Sequence, residues 1–255
     1  MRTLLFVNNW VGSQVVAWLR ERGEPPVALV MHPEGRRKYG PEILAAAALP
    51  PERIFDGSHL DAPETLAALR ALEPDIGVST YFGYILRRPI LSLPRAGCVN
   101  LHPAYLPYQR GANPNVWSLL EEGTPAGATL HYMDEGIDTG DIIHQRELVV
   151  APTDTGATLY RRLELLAVEV FQEAWPLLVA GTAPRRPQDR AAGCTHRMRD
   201  LAPLDEIDLD RSYRARDLIN LLRARTFPPY RGAYFRAGQK KVYIRIELWE
   251  EEDGA

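Results

Sequence analysis

Short apolar runs alternate with longer segments that carry apolar residues at helical spacing through the first hundred positions. Thr3–Asn8 (TLLFVN), PVALVMHP, RIFD, DIGVSTYF and GCVNLHP read as strands. Between them the pattern predicts helices: SQVVAWLRERG stopped by Gly23, PEILAAAAL with Pro41 in its first turn, and DAPETLAALRALEP with Asp61 as cap and Pro74 as stop. Strands apolar at every position are covered on both faces, and their alternation with helices predicts a parallel sheet. Such sheets bind ligands beyond the carboxyl ends of their strands. Asn8–Asn9, Ser79–Tyr84 and Asn100–Pro103 all fall on that edge.

After Gly123 the period changes. AGATLHYMDEG and DIIHQRELVV alternate as two strands joined by the turn EGIDTGD. A long amphipathic helix then starts after Thr155 and ends near Gly181. The Pro- and Arg-rich TAPRRPQDRAAGCTHRMRD reads as an exposed linker. SYRARDLINLLRART predicts a helix, FPPYRGAYF and KKVYIRIELW a hairpin near Tyr230–Leu248, and EEEDGA a solvated, frayed end. The expected fold is α/β: a Rossmann-like, mostly parallel sheet flanked by helices over residues 1–182, a linker over 183–204, and a helix-plus-hairpin tail over 205–255.

Composition narrows the function. A net charge of -3, with 30 basic against 33 acidic residues, lacks the basic excess of a general nucleic-acid binder. No stretch approaches the roughly 20 apolar residues of a membrane span, MRTLLFVNNW is too short for a signal peptide, and Cys98 and Cys194 read as unpaired thiols in a reducing compartment. The expected location is the cytoplasm. Neither a Gly-rich phosphate loop nor an H-x-x-x-H pair is present, and no histidine sits in a metal-type cluster by sequence spacing, so no metal is expected.

The chemistry gathers after position 98, in VNLHPAYLPYQRGANPNVW. Asn100 offers a carboxamide that donates to an oxyanion without changing charge. His102 titrates near neutrality and can move a proton. Asp138, in its Gly-flanked turn, can fix the tautomer of that imidazole and favour its charged form. No serine or cysteine stands where an activated nucleophile should, so the set fits acyl transfer to an outside nucleophile. On spacing alone the same residues also fit a satisfied structural pair and a common D-T-G turn.

NLHPAYLPYQRG followed by GATLHYMDEGIDTGDII resembles the folate-dependent formyltransferases, over most of the chain from the first strand to YIRIEL. That family includes methionyl-tRNA formyltransferase, glycinamide ribonucleotide transformylase and the sugar N-formyltransferases. The resemblance implies that Asn100, His102 and Asp138 are the catalytic triad and that 10-formyltetrahydrofolate is the formyl donor. It also implies that YFGYIL, including Phe82, Gly83, Tyr84, Ile85 and Leu86, holds the pterin through its backbone. The segment from Met133 and Asp134 to Asp138 closes the other side. Asn9, Tyr105 and Arg110 are candidate substrate contacts, although Tyr105, Tyr108 and Arg110 fit turn packing equally well.

The tail decides the expected amine. It resembles the entry to the tRNA enzyme's C-terminal barrel but holds too few strands for one, and the charge does not suit a polyanion. A helix-plus-hairpin tail resembles the sugar N-formyltransferases, which implies a nucleotide-linked amino sugar as substrate for surface polysaccharides and a homodimer formed through the tail. An atypical methionyl-tRNA formyltransferase, a formyltransferase of another small amine, a formyltetrahydrofolate hydrolase and a folate binder without turnover are the rival readings.

Overall fold

The computed structural model describes residues 1–189 and 191–251 of the chain. Five strands alternate with helices as the apolar pattern requires: β1 (Thr3–Val7), α1 (Asn9–Glu21), β2 (Ala28–Met31), α2 (Gly40–Ala47), β3 (Ile54–Asp56), α3 (Pro63–Ala71), β4 (Ile76–Thr80), α4 (Arg88–Leu91) and β5 (Cys98–His102). A two-residue strand β6 (Arg110–Gly111) and helix α5 (Pro114–Leu120) lead to β7 (Ala126–Tyr132) and β8 (Ile142–Leu148). The long helix α6 (Gly156–Val179), β9 (Thr195–His196), helix α7 (Ala215–Arg225) and the hairpin strands β10 (Tyr234–Ala237) and β11 (Lys240–Tyr243) complete the described chain.

The central sheet has seven strands in the order β3–β2–β1–β4–β5–β7–β8. The first five are parallel to one another, and β7 and β8 run antiparallel to their neighbours. Both faces are buried, which is why β1 is apolar without a break. Leu5 and Val7 pack with Val15 and Leu19 of α1 and Val170 and Phe171 of α6, whereas Leu4 and Phe6 pack with Leu69 and Ile90 on the opposite face. Helix α6 spans about 36 Å at 1.5 Å per residue over its 24 residues and opens with a reciprocal cap between Thr155 and Thr158.

Three expectations need correction. Helix α1 begins at Asn9, four residues before Ser13, because the Asn9 carboxamide oxygen accepts from Val11 N (3.1 Å). Asp61 does not cap α3: Ala62 holds that position, Pro63 starts the helix, and Asp61 instead pairs with Arg87 at 3.4 Å. The stretch read as an exposed linker is tied down at two points among its described residues. Arg186 and Ile142 exchange main-chain hydrogen bonds, and β9 pairs with β6 in a small parallel ribbon. Satisfying backbone groups against the sheet edge overrides the Pro- and Arg-rich composition. The tail hairpin forms over Tyr234–Tyr243, shorter than expected, and residues 252–255 of the predicted frayed end lie outside the described chain.

Candidate active site

The site grows from the carboxyl ends of the parallel strands. Residues two apart on a strand share a face, so Asn100 and His102 of β5 lie together, while Val99 and Leu101 enter the apolar layer beneath α6. His131 of β7 stands opposite Asn100 in the antiparallel register. Asp138 arrives from the β7–β8 turn with φ of 51°, a left-handed conformation that a short polar side chain tolerates. Gln188 fixes that turn by donating from Nε2 to the main-chain oxygens of Asp138 (2.8 Å) and Gly140 (2.7 Å).

The Asp138 carboxylate is the hub. Asn100 Nδ2 donates to Oδ1 at 3.1 Å and Gly111 N donates to Oδ2 at 2.8 Å. His131 Nε2 lies 3.4 Å from Oδ1, and His102 Nδ1 lies 3.6 Å from Oδ2, an ion-pair separation rather than a hydrogen bond. Burial works to raise this carboxyl, yet the charge of His102, the bond and charge of His131 and the Gly111 amide outweigh it and hold it well below the usual carboxylate range. His102 Nε2 is 3.0 Å from the Gln109 carbonyl, which can only accept, so that nitrogen carries hydrogen and Nδ1 faces Asp138. A proton taken up at Nδ1 is therefore stabilised by the carboxylate beside it.

The hub floors a cleft of about 420 Å³. Phe82, Gly83, Tyr84, Ile85 and Leu86 form one wall and Met133 to Asp138 the other, so both segments singled out from sequence lie on it. Ile85 is 79% exposed and forms the outer lip. His32, passed over in the sequence, supports the first wall: Gly83 N donates to its Nε2 (3.3 Å), and its ring meets Phe82 and Tyr84 edge-on. His131 was also missed, although strand alternation in GATLHYM could have placed it on the face of Asn100. Gln188 carried no such signal, because it lies in a segment without periodicity.

A second cavity of about 690 Å³ adjoins this cleft, the two sharing Met198 in their linings. Asn9 lies there, donating from Nδ2 to the Tyr160 hydroxyl at 3.1 Å, together with Lys38, Arg161 and Glu164. The other two proposed substrate contacts are not on either cavity. Arg110 is buried and spends its guanidinium on Gln188 Oε1 (3.1 Å) and Asp189 O (3.2 Å). Tyr105 lies against Gly127, where a β-carbon would meet its Cβ and Cδ2 at 3.1 Å. Turn packing is the role these two positions display.

A parallel-sheet edge that presents a carboxamide, an imidazole and a buried carboxylate beside a cleft fits acyl transfer to an external nucleophile. Residues 14–175 match the family described as Formyl transferase, and residues 200–250 match an N-formyltransferase dimerization C-terminal domain. A methionyl-tRNA formyltransferase of Geobacter metallireducens is 35% identical over 225 residues, covering 85% of this chain and 70% of that one. A 4-N formyltransferase structure from Francisella tularensis superposes with a TM-score of 0.82 at 26% identity, covering 98% of this chain and 99% of that one. A formyltransferase from Anoxybacillus kamchatkensis, solved with UDP-4,6-dideoxy-4-formamido-L-AltNAc and tetrahydrofolate, superposes with a TM-score of 0.57 at 28% identity, covering 80% and 89%. The chain belongs to the formyl transferase family and is a folate-dependent N-formyltransferase.

Proposed function

We propose that this enzyme formylates the amine of a nucleotide-linked amino sugar and works as a homodimer joined through its tail. The formyl donor is 10-formyltetrahydrofolate, which supplies an activated one-carbon acyl group when bound. The cleft between Phe82–Leu86 and Met133–Asp138 suits a flat heterocycle: Phe82, Leu86 and Met133 offer apolar surface, and two chain segments offer backbone groups on either side.

At the floor of that cleft Asn100 donates to the charge developing on the formyl oxygen. One Nδ2 hydrogen is held by Asp138, and the second has only a long contact, 3.4 Å, to His131 Nε2, which the formyl oxygen displaces. His102 takes the proton of the attacking amine at Nδ1, Asp138 stabilises the resulting charge, and the proton passes to the departing tetrahydrofolate nitrogen as its bond to the formyl carbon breaks. Asn9, Lys38 and Arg161 in the adjoining cavity suit a sugar linked to a pyrophosphate. Lys38 makes no ion pair among the described residues, so its charge is available to a phosphate.

The observation that carries the sugar reading is the likeness to a formyltransferase solved with a UDP-linked formamido sugar and tetrahydrofolate, supported by an end-to-end match to a 4-N formyltransferase and by residues 200–250 matching a dimerization domain. A net charge of -3 speaks the same way, since tRNA affinity comes largely from neutralised phosphates. The 35% identity to a methionyl-tRNA formyltransferase favours the second reading, formylation of charged initiator tRNA. The test is incubation with 10-formyltetrahydrofolate and a panel of nucleotide-linked amino sugars, followed by mass, beside initiator methionyl-tRNA at matched concentration. Formylated sugar is the expected product. Formylation of the tRNA alone would overturn the sugar reading.

A further inference from the structure

Joined to His102 through Gln109 is a second group of reactive side chains. Gln109 accepts from His102 through its main-chain oxygen, and its side-chain Nε2 donates to Glu121 Oε2 (3.2 Å) and Thr124 Oγ1 (2.6 Å). On Glu121 converge Cys194 and His196, 73 and 75 residues away in sequence. His196 Nε2 lies 2.8 Å from Oε1, Cys194 Sγ lies 3.1 Å from Oε2, and Sγ and Nε2 stand 3.0 Å from each other. The imidazole is held flat on the Trp117 ring, 3.8 Å between centroids and 9° from parallel.

Hydrogen bonding alone does not account for this arrangement. If Nε2 gives its hydrogen to Glu121 and the thiol gives its own to the same carboxylate, none is left between sulfur and nitrogen, yet they touch. Three lone-pair atoms brought to a common point are what a cation requires. Tetrahedral zinc, with Zn–S about 2.3 Å and Zn–N or Zn–O about 2.0–2.2 Å, sets ligand separations of about 3.3–3.7 Å. The observed 2.8–3.1 Å needs about half an ångström of opening at each pair. A thiolate, an imidazole and a carboxylate select zinc over magnesium or calcium, which take oxygen ligands. His196 and Glu121 keep 14% and 26% of their side-chain surface exposed, so an ion has access and a water can fill the fourth position.

We propose that Glu121, Cys194 and His196 form a Zn²⁺ site that clamps the catalytic loop. The ion ties the end of α5 to β9. Strand β9 pairs with β6, whose Gly111 amide holds Asp138, and Glu121 anchors Gln109, whose carbonyl holds His102. His196 also lines the catalytic cleft, but among the described residues none of the three ligands is hydrogen-bonded to Asn100, His102 or Asp138, so their role is positioning. Without the ion the Cys194 thiol donates its proton to the Glu121 carboxylate. Zinc displaces that proton to solvent as the Zn–S bond forms, and the imidazole coordinates through Nε2 with its hydrogen moved to Nδ1.

The test uses the full chain, stripped with a chelator and titrated with Zn²⁺ against a chromogenic competitor, then with Co²⁺ by absorption. One ion should bind per chain, with a thiolate-to-cobalt charge-transfer band. Cys194→Ser and His196→Gln should each weaken binding by more than about 100-fold, beyond the range for loss of a supporting contact, while Cys98→Ser should leave it unchanged. Bound Zn²⁺ should also protect Cys194 of the wild-type protein from alkylation, a readout that holds if the variants fail to fold. Absence of saturable binding, full binding by both variants, a cobalt complex without the thiolate band, or alkylation of Cys194 at the same rate with and without zinc would each overturn the site.

Discussion

His102 is gripped from both sides: its Nε2 is committed to the Gln109 carbonyl, and its Nδ1 faces a carboxylate that stays ionised. Replacing it by Asn keeps approximate size and removes the titrating nitrogen, so turnover should fall about 100-fold or more. Folate affinity, measured by fluorescence titration, should hardly move, and near-normal turnover would take His102 out of the mechanism. Asn100→Ala should raise the barrier by about 3 kcal/mol, the scale for one oxyanion donor. A rise in KM for the amine with kcat intact would make Asn100 a binding group instead. Asp138 carries a pH signature. A carboxyl held low in the folded state adds stability that is complete above its unfolded value of about 3.9 and is lost as pH falls through the folded value. The stability difference between wild type and Asp138→Asn, followed by urea unfolding, should shrink as pH is lowered below about 4. A difference that keeps growing below that pH would contradict the ionised hub.

At the scale of elements, the short ribbon of β6 and β9 matters more than its length suggests, because Gly111 donates to Asp138 from within it. Gly111 has φ of 87°, and a β-carbon there would sit 2.2 Å from the His196 carbonyl oxygen. Gly111→Ala combines a disfavoured backbone conformation with a main-chain clash. It should cost more than about 1 kcal/mol, lower Tm in calorimetry, and reduce kcat together with it. Gly97 is a control, with φ of 78° and nothing within 4 Å of its would-be β-carbon. Gly97→Ala should lower Tm modestly and leave kcat alone. Equal losses of activity in both variants would show that the ribbon has no special link to the hub.

At the scale of the whole molecule, the tail leaves apolar groups facing outward. Trp249 is 80% exposed, Leu209 64%, and Val242 and Tyr243 39% each. A two-stranded hairpin has little stability alone in water, and exposed apolar patches mark association surfaces. Sedimentation should show a dimer, and Val242→Asp with Tyr243→Arg should shift it toward monomer without altering the cleft. A wild-type monomer at micromolar concentration would refute the tail interface. With a nucleotide-linked sugar, activity should fall only shallowly with added salt, because one pyrophosphate is neutralised. A polyanionic substrate would give a steep logarithmic fall.

Much of this was written locally. Unbroken apolar strands such as TLLFV can lie only in a sheet covered on both faces, and the two-residue period of CVNLH sets Asn100 and His102 on one side. Those are consequences of backbone geometry and burial, so the parallel core and the shared face of Asn100 and His102 are legible in the sequence. At Asp61 and Ser13 the local pattern points to the wrong helix boundary, because neighbouring residues, Pro63 and Asn9, supply competing local signals. Tertiary structure alone decided the rest. Gln188 fixes the Asp138 turn from 50 residues away, Arg110 turns inward to meet it, and Glu121 meets Cys194 and His196 across more than 70 positions. The sequence of 183–204 has no periodicity of its own, and where it meets the sheet, at Arg186 and at Thr195–His196, it is held by hydrogen bonds from Ile142 and from β6. Hydrophobic period reports what a segment does to itself and to its immediate layer. Polar contacts between distant segments leave no period, and they arise only once the core has brought those segments together.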